Sequence, residues 1–386
     1  MRGEAIGFVH VGSLAVCAFH GVSTRINVNG YVGVFAAATL AAAWSWYRRR
    51  VRGPLLSAED IKAGLKLMHP VNGYCHLVED DTGLIQPFDF DLAAVRDLRS
   101  RFALRAHDIV IATYPKCGTT WMQQVVLLLL RGAEAECAPM RDAPWLEMSV
   151  SSAANGCKSS SPPLSVDKLC RLPPADPCVN SGRRVWKTHA PEPHAPWRGA
   201  GAHAAAAAGA KVIVVARNAK DAAVSMLHHT ANIPPFQWHG GWAEFAPLFF
   251  AGQLESNSFW DWYEGWWRAS RAYPPTVLWI TYEEMSADLP AAVAKVARHL
   301  GLQTSSAEIR RVAERSGFVS MREEQARRDA LATARGDHVK QGHLRQGQVG
   351  GWRAVLRACD TAAFDAKNLE LAAACEGLLL YEGEAV

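Results

Sequence analysis

Short apolar runs alternate with longer helical patterns along this chain from about residue 108 onward. The runs 108–112 and 211–215 are nearly free of polar residues, which is typical of strands that a parallel sheet buries on both faces. A helical pattern at 119–128 follows the first run, and another helix is predicted after Ser305, where Ser305 and Glu308 form a capping-box pattern. The alternation predicts an α/β fold with a mostly parallel central sheet flanked by helices, and it places ligands at the carboxyl ends of the strands.

The turn after the first strand is suited to binding a phosphate group. It reads Thr113-Tyr114-Pro115-Lys116-Cys117-Gly118-Thr119-Thr120-Trp121. Gly118 permits close approach of the backbone, the first helical turn presents free N–H groups, and Lys116 adds a cation. The turn is P-loop-like. However, Lys116 precedes Gly118, whereas the Walker pattern places its lysine after the second glycine, so an ordinary ATP or GTP loop is not expected.

A second turn of this kind follows the strand 211–215. Arg217 carries the forked donors that bind phosphate, and Ser225 lies two helical turns further on. Arg217 and Ser225 reach one phosphate only if the chain turns sharply between them. Two phosphate-binding turns predict one nucleotide that carries two phosphate groups.

Between these turns, the run from Arg184 to Pro191 contains Lys187 and His189. A strand with a period of two places both side chains on one face. A neutral His189 is able to take a proton from an attacking hydroxyl group, and Lys187 would neutralise charge on a leaving group. A histidine at a strand end is by itself more often structural, so the prediction of catalysis depends on the two flanking turns.

These three segments resemble the cytosolic-type sulfotransferase family, which moves a sulfuryl group from 3′-phosphoadenosine 5′-phosphosulfate (PAPS) to an acceptor. In that family a Y-P-K-S-G-T-T-W loop holds the 5′-phosphosulfate, a K-T-H strand supplies the base, and an A-R-N-x-K-D-x-x-V-S segment holds the 3′-phosphate. The resemblance covers most of the chain. It continues through the tryptophan pair 266–267, the segment after Tyr282, and a glycine-rich loop at 345–352.

The resemblance implies roles for individual residues. It implies catalytic roles for His189, Lys187 and Lys116. It implies donor binding by Lys116, Cys117, Gly118, Thr119, Thr120, Trp121, Arg217, Ser225, Tyr282, Ser316, Phe318, Arg345, Gln346 and Gly347. The aromatic members would stack on the purine, although each could equally belong to the core. No metal is implied, and the histidines from 228 to 239 lack partners at zinc-like spacing.

Several positions depart from the family pattern. Cys117 stands where the loop usually has serine, and a thiol is a weaker donor than a hydroxyl. Gln346 replaces a lysine and Gly351 an aspartate, so a lower donor affinity is expected. The segment 151–182 has the composition of a mobile surface insertion. The family's dimerisation pattern after Trp352 is absent, so the oligomeric state stays open.

Composition narrows the classes of partner. The net charge of +4 is modest and no dense stripe of Lys and Arg with interleaved aromatics occurs, so nucleic acid is not an expected partner. The nine cysteines form no CxxC pairs, which fits a reducing compartment. The acceptor pocket is predicted to draw on 70–77 and 233–250, whose aromatic residues indicate a small, apolar hydroxyl or amine compound.

The first 53 residues are predicted to be an extension of a sulfotransferase domain at 54–386. Residues 27–47 carry no charge and precede an arginine cluster at 48–52, which is the pattern of a weak membrane anchor with the domain facing the cytosol. An organellar targeting peptide and a disordered extension are the alternatives.

Three functions are compatible with these patterns. The first is a small-molecule sulfotransferase, the second is a catalytically reduced protein that only binds PAPS or its desulfated product, and the third is a nucleotide kinase with a variant loop. His189 beside Lys187 argues against the second function. The missing Walker lysine argues against the third. We therefore expect a sulfotransferase.

Overall fold

The computed structural model describes residues 9–11, 14–16, 64–69, 72–151, 164–172, 182–335 and 347–378. The predicted anchor, most of the predicted insertion, and both Arg345 and Gln346 lie outside the described residues. The chain divides into two compact units, 1–53 and 54–386. In the first unit, strands β1 (Val9–Val11) and β2 (Leu14–Val16) pair antiparallel.

The second unit contains the remaining strands and helices. In chain order they are β3 (Leu65–His69), β4 (Gly73–Val78), β5 (Ile85–Gln86), α1 (Leu92–Arg101), β6 (Ile109–Thr113), α2 (Thr119–Arg131), α3 (Pro139–Asp142), α4 (Val166–Arg171), β7 (Val185–Thr188), α5 (Gly201–Ala208), β8 (Lys211–Ala216), α6 (Ala219–Ala231), α7 (Trp242–Phe250), α8 (Phe259–Ala272), β9 (Val277–Thr281), α9 (Tyr282–Ala287), α10 (Leu289–His299), α11 (Ser306–Ser316), α12 (Phe318–Ala334) and α13 (Ala358–Ala374).

A four-stranded parallel sheet organises this unit. Its strand order is β7-β6-β8-β9, and all three neighbouring pairs are parallel. Ile109 of β6 lies opposite Val185 on one side and Lys211 on the other, so the strands begin and end level with one another. The predicted α/β fold with a parallel central sheet is confirmed. A smaller antiparallel sheet has the order β3-β4-β5.

The central strands are buried on both faces, which explains why they appear as continuous apolar runs. Val110 and Val212 face a core that includes α1, α6 and α8, whereas Ile111 and Ile213 face a second core that includes α2, α10 and α11. The predicted capping box at Ser305 is present at the start of α11.

A buried ion pair fixes the amino ends of β6 and β7. Asp108 and Arg184 are both almost fully buried, and Arg184 Nε lies 2.8 Å from Asp108 Oδ1. The Arg184 guanidinium also packs over the rings of Phe102 and Trp186. Next to the pair, Ile109 N–H donates to the Arg184 carbonyl at 2.9 Å. The pair therefore lies where the register of the two strands begins.

Replacing Arg184 with methionine should lower the free energy of unfolding by about 3–5 kcal/mol, because Asp108 is left charged and buried without a partner. Urea denaturation at pH 7 measures the loss. The double variant Asp108→Asn/Arg184→Met should recover most of it, since no buried charge remains. A cost of less than about 1 kcal/mol for the single change, as for an exposed pair, would contradict this interpretation.

Candidate active site

The turn after β6 has the backbone shape of a phosphate cradle. Gly118 adopts φ +98° and precedes α2, and Lys116 also has a positive φ of 70°. A Cβ atom on Gly118 would lie 2.8 Å from Cδ2 of Tyr282, so only glycine fits there without a shift. The hydroxyl groups of Thr113 and Thr119 lie 2.6 Å apart and tie the end of β6 to the start of α2. The N–H groups at the start of α2 therefore face a rigid turn.

His189 follows β7 and is held against the end of β6. Its Nδ1 lies 2.8 Å from the carbonyl oxygen of Thr113. A carbonyl oxygen only accepts, so Nδ1 carries the proton and Nε2 keeps its lone pair. Burial, and then the charge of Lys187, lowers the pKa of His189 well below its usual value. His189 is therefore neutral near pH 7, with Nε2 able to accept a proton.

Trp145 contacts two predicted catalytic side chains, Lys187 on β7 and His189 just after it. The ammonium group of Lys187 lies 4.5 Å from the centre of the Trp145 ring, and the His189 ring makes an edge contact with the same indole at 4.6 Å. Trp145 is positioned by the backbone, because Lys187 N–H donates to the Pro144 carbonyl at 3.0 Å. Lys187 and His189 thus border one small volume.

Burial changes the ionisation of the lysine and of two acids near it. Burial lowers the pKa of Lys187 to about 8, while the charges of Glu255 and Glu147 oppose the shift. Burial also raises the pKa of Glu147 to about 7, although a hydrogen bond from the Thr188 hydroxyl at 2.6 Å works against this. Burial raises the pKa of Glu255 to about 7 as well. Lys187, Glu147 and Glu255 are therefore ionisable groups in a poorly hydrated part of the protein.

The second predicted phosphate turn contacts the first one directly. Arg217 donates to the carbonyl of Lys116 at 2.9 Å and to the carbonyl of Gln348 at 3.1 Å. Its guanidinium lies 4.2 Å from the centre of the Tyr282 ring, and Trp121 makes an edge contact with that ring at 5.0 Å. Arg217 Nε is buried without a hydrogen-bond partner among the described residues. Arg217 thus links the two turns, and its Nε–H group remains able to donate a hydrogen bond.

A glycine-containing segment that follows Gly347 lies over the start of α6. Asp221 accepts from the N–H of Gly350 at 2.7 Å and from the N–H of Trp352 at 3.0 Å. The ammonium group of Lys220 lies 4.8 Å from the centre of the Trp352 ring. Asp221 therefore anchors this segment beside Arg217.

Phe318 packs against the other end of that segment. Gly347 has φ +63°, and a Cβ there would lie 2.3 Å from Cδ2 of Phe318. Only a glycine allows this approach. The phenylalanine predicted to contact the adenine thus lies beside the predicted 3′-phosphate loop.

Cys117 is sealed into the base of the first turn. Its Sγ lies 3.1 Å from the hydroxyl of Tyr263, which also accepts the N–H of Arg217 at 3.1 Å. Burial raises the pKa of the Cys117 thiol to about 12. The group is therefore a neutral thiol that contacts Tyr263, whose hydroxyl in turn binds the backbone of the second predicted phosphate turn.

An aromatic cluster borders the other side of the site. Tyr74, Phe236, Trp238 and Phe245 are all buried and contact one another. His76 stacks on Phe236 with ring centres 4.8 Å apart, and burial lowers its pKa to about 4. These residues come from the two stretches in which the acceptor pocket is predicted, of which Pro70 lies outside the described residues.

Most predicted site residues lie in this region, and a few make no contact that links them to it. Lys116, Cys117, Gly118, Thr119, Trp121, Arg217 and Tyr282 are joined through the contacts above. Ser316 is buried, but its hydroxyl donates to the Val312 carbonyl of its own helix at 2.7 Å. Thr120 and Ser225 are half-buried without a side-chain hydrogen bond to a described residue.

Four functionally placed residues were not among the sequence predictions. Thr113, Trp145, Glu255 and Asp221 contact or influence the predicted catalytic and phosphate-binding groups. Asp221 had a usable signal, because it lies inside the A-R-N-x-K-D segment. Thr113 is the first residue of the quoted phosphate turn, whereas Trp145 and Glu255 are brought in by the fold alone.

Two features are absent from the part of the chain that the structure describes. No group of three or more His, Cys, Asp or Glu side chains there is arranged to hold a metal ion. None of the helices described has the length and apolarity needed to cross a bilayer.

The sequence is similar to a known enzyme family over most of its length. A family model described as "Sulfotransferase domain" matches residues 106–375. The chain is 31% identical over 270 residues to Sulfotransferase 1B1 of Mus musculus, which covers 67% of this chain and 80% of that protein. It is 27% identical over 274 residues to Sulfotransferase 1A1 of Bos taurus, covering 70% and 84%.

Solved structures share the fold. Mouse sulfotransferase SULT7A1 complexed with PAP matches with a TM-score of 0.58 and 24% identity, covering 75% of this chain and 92% of that one. Retinol dehydratase in complex with androsterone and inactive cofactor PAP matches with a TM-score of 0.62 and 20% identity, covering 85% and 97%.

Proposed function

This chain belongs to the sulfotransferase family and is a PAPS-dependent enzyme of that family, and we propose that His189 is the general base of its reaction. The observation that carries this proposal is the hydrogen bond between His189 Nδ1 and the Thr113 carbonyl, at 2.8 Å. It leaves Nε2 free to take the proton of an acceptor hydroxyl as the acceptor oxygen attacks sulfur. The depressed pKa of His189 keeps that nitrogen unprotonated at neutral pH.

Lys116 and Lys187 are proposed to supply positive charge beside the leaving phosphate, on the far side of sulfur from the acceptor. The donor supplies the sulfuryl group, and its phosphosulfate would bind in the turn after β6, where Gly118 takes up a positive φ and packs closely against Tyr282. Lys116 in that turn and Lys187 on β7 would stabilise negative charge that develops on the leaving phosphate. Lys187 performs this role while protonated, below its pKa of about 8.

The 3′-phosphate of the donor would bind between Arg217 and the segment 347–352. Arg217 has a buried Nε without a partner among the described residues, which is a donor that a phosphate oxygen would satisfy. Asp221 holds the segment at this position through Gly350 and Trp352. Ser225 and the residues at 345 and 346 are proposed to complete this subsite. Trp121, Tyr282 and Phe318 would bind the adenine.

The acceptor is proposed to be a small aromatic compound with a hydroxyl group. The cluster of Tyr74, Phe236, Trp238 and Phe245 offers edges and faces suited to a planar ring. The related structure named retinol dehydratase holds androsterone, which is consistent with a small apolar ligand in this fold.

A protein that binds the donor without turning it over is the other candidate. It is favoured by the thiol of Cys117, which stands where a hydroxyl is usual. The contact of that thiol with the buried Tyr263 hydroxyl counts against this candidate, because the backbone N–H of Cys117 is the same with either side chain.

Replacing His189 with alanine should lower kcat for a phenol by about 10²–10⁴-fold, because the proton of the attacking hydroxyl then has no acceptor. Affinity for PAP, measured by calorimetry, should stay within about threefold, since the base acts on the acceptor. His203→Ala on the exposed face of α5 is the control and should keep wild-type turnover. Turnover of the His189 variant within about tenfold of wild type would refute the base assignment.

Removing the Arg217 guanidinium should weaken PAP binding by about 1.5–3 kcal/mol, the usual worth of a hydrogen bond to a charged group. Calorimetry with PAP and with adenosine 5′-phosphate tests the assignment, because the second ligand lacks the 3′-phosphate. Arg217→Ala should reduce the difference between the two affinities by about this amount, and Arg217→Lys should reduce it less. Lys116→Ala should weaken both ligands together. Equal affinities of the wild-type protein for both ligands would contradict the assignment.

We further propose that residues 27–47 attach the chain to a membrane with the catalytic domain on the cytosolic side, as their lack of charge and the arginines at 48–52 predict. A variant that begins at Gly53 should be soluble and active, while the full chain should stay with membranes after a carbonate wash. A cleaved mature chain inside an organelle would favour a targeting peptide instead, and a soluble uncleaved chain would favour a disordered extension.

A further inference from the structure

A buried carboxylate with no assigned role lies beside the reaction centre. Glu255, between α7 and α8, is only 4% exposed. Its backbone N–H donates to the Tyr74 hydroxyl at 3.3 Å. Its carboxylate oxygens form no hydrogen bond or ion pair with a described residue, and they are not among the polar atoms that the protein seals from solvent. They therefore border accessible space, and the charges of Lys187 and Lys116 that act on them indicate that this space lies on the side of the reaction centre.

The loop that carries Glu255 is held in a strained conformation. Ser256 and Asn257 follow it with φ values of 68° and 62°, and neither is a glycine. Ser256 N–H donates to the Ile85 carbonyl at 3.0 Å, and Ile85 N–H donates to Asn257 Oδ1 at 2.8 Å. The hydroxyl of Tyr114, in the phosphate turn, donates to the Asn257 carbonyl at 3.2 Å. Each positive φ costs about 1–3 kcal/mol, so the surrounding contacts enforce the position of Glu255.

Charged groups from several elements face Glu255. They are Lys187 of β7, Lys116 of the phosphate turn, Asp89 after β5, Glu147 after α3, and the phenol of Tyr74. Lys187 is the strongest favourable influence, yet the two groups form no ion pair. The Glu255 carboxylate and the Lys187 ammonium group thus influence each other's charge without direct contact.

When the donor binds, the negative charge of Glu255 would lose the positive charges that balance it. According to the proposed function, Lys116 and Lys187 face the anionic phosphosulfate once the donor is bound. A carboxylate buried without a counter-charge is costly, and a cation that enters beside it repays that cost. The adjoining rings of Tyr74, Phe236 and Trp238 attract a cation as well as an aromatic ring. The part of the site that would bind the acceptor therefore suits a ligand that has both a cation and an aromatic ring.

We propose that Glu255 binds a protonated amine of the acceptor, so that the preferred substrates are aromatic compounds with a hydroxyl group for His189 and a separate cationic amine for Glu255. This inference rests on the proposed function, in which His189 defines the position of the hydroxyl. The amine is a recognition group that keeps its proton and is not the nucleophile. Glu255 acts here as a specificity residue.

The test compares tyramine with 4-ethylphenol, which differ only by the ammonium group. The wild-type enzyme should use tyramine with a kcat/KM at least about tenfold higher, a difference of about 1.4 kcal/mol. Glu255→Gln keeps the shape of the side chain and removes its charge. It should abolish the preference and bring the ratio of the two kcat/KM values to about one, whatever loss both phenols share because Lys187 has lost a neighbouring negative charge. Glu255→Asp should retain part of the preference.

Two results would overturn the proposal. One is a wild-type enzyme without preference for tyramine. The other is an equal loss for both phenols in Glu255→Gln, with the preference unchanged, which would mean that Glu255 acts through Lys187 or through the fold. If Glu255→Gln does not fold, the pH dependence of the wild-type preference for tyramine tests the proposal instead. The preference for tyramine should grow as the pH rises through about 7, where Glu255 ionises, and a preference that does not change from pH 6 to pH 8 would refute the proposal.

Binding separates this proposal from the proposed function. Calorimetry in the presence of PAP measures the affinity of both phenols without turnover. Tighter binding of tyramine that is lost in Glu255→Gln supports the role of Glu255, even if neither phenol is sulfated and the hydroxyl-acceptor function therefore fails. Equal affinity of both phenols for the wild-type protein refutes the role of Glu255, even if both are sulfated.

Discussion

The parallel register between β6 and β7 is the constraint on which the rest of the site depends. Ala112 lies opposite Thr188, so the next residues along the two strands, Thr113 and His189, meet at the same edge of the sheet. The contact between His189 Nδ1 and the Thr113 carbonyl follows from this register. Thr113 is also the residue from which the phosphate turn begins. One pair of strands thus fixes the proposed base and the proposed donor-binding turn relative to each other, and a slip of one residue would turn Lys187 to the opposite face.

Burial converts this geometry into reactivity. In water a histidine is partly protonated near neutrality, but burial and the charge of Lys187 keep His189 neutral. Burial lowers the pKa of Lys187 to about 8, and the charges of Glu255 and Glu147 oppose that shift. Near pH 7 the proposed base, His189, is therefore neutral, while Lys187 beside it is protonated. The low hydration that shifts these pKa values also strengthens each electrostatic contact with a ligand.

The parts of the site that depend on local sequence were predictable, and the parts that depend on long-range contacts were not. Gly118, Lys116 and Arg217 follow apolar strands at short spacing, so strand and turn patterns locate them. Trp145 and Glu255 are far from any motif, and only the fold brings them to His189 and Lys187. Ser316 was predicted from a motif as well, and its hydroxyl donates to the Val312 carbonyl of α11, a partner that the motif does not indicate. A motif gives the order of residues along the chain, whereas the direction of a hydroxyl depends on packing.

The chain departs from the family pattern at Cys117 and in the segment 347–352, and the structure shows what each departure changes. The thiol of Cys117 lies against Tyr263, so the substitution for serine changes the support beneath the turn more than its ligand-facing side. The closing segment is held by Asp221 through backbone N–H groups, an arrangement that does not depend on the side chain at 351.

The most direct test of sulfuryl transfer follows the label from PAPS that carries ³⁵S. Incubation with the protein and a phenol should yield PAP and labelled aryl sulfate in equal amounts, with little inorganic sulfate. Release of inorganic sulfate without labelled aryl sulfate, or binding of PAPS without any product, would contradict a site in which His189 directs the acceptor oxygen to sulfur.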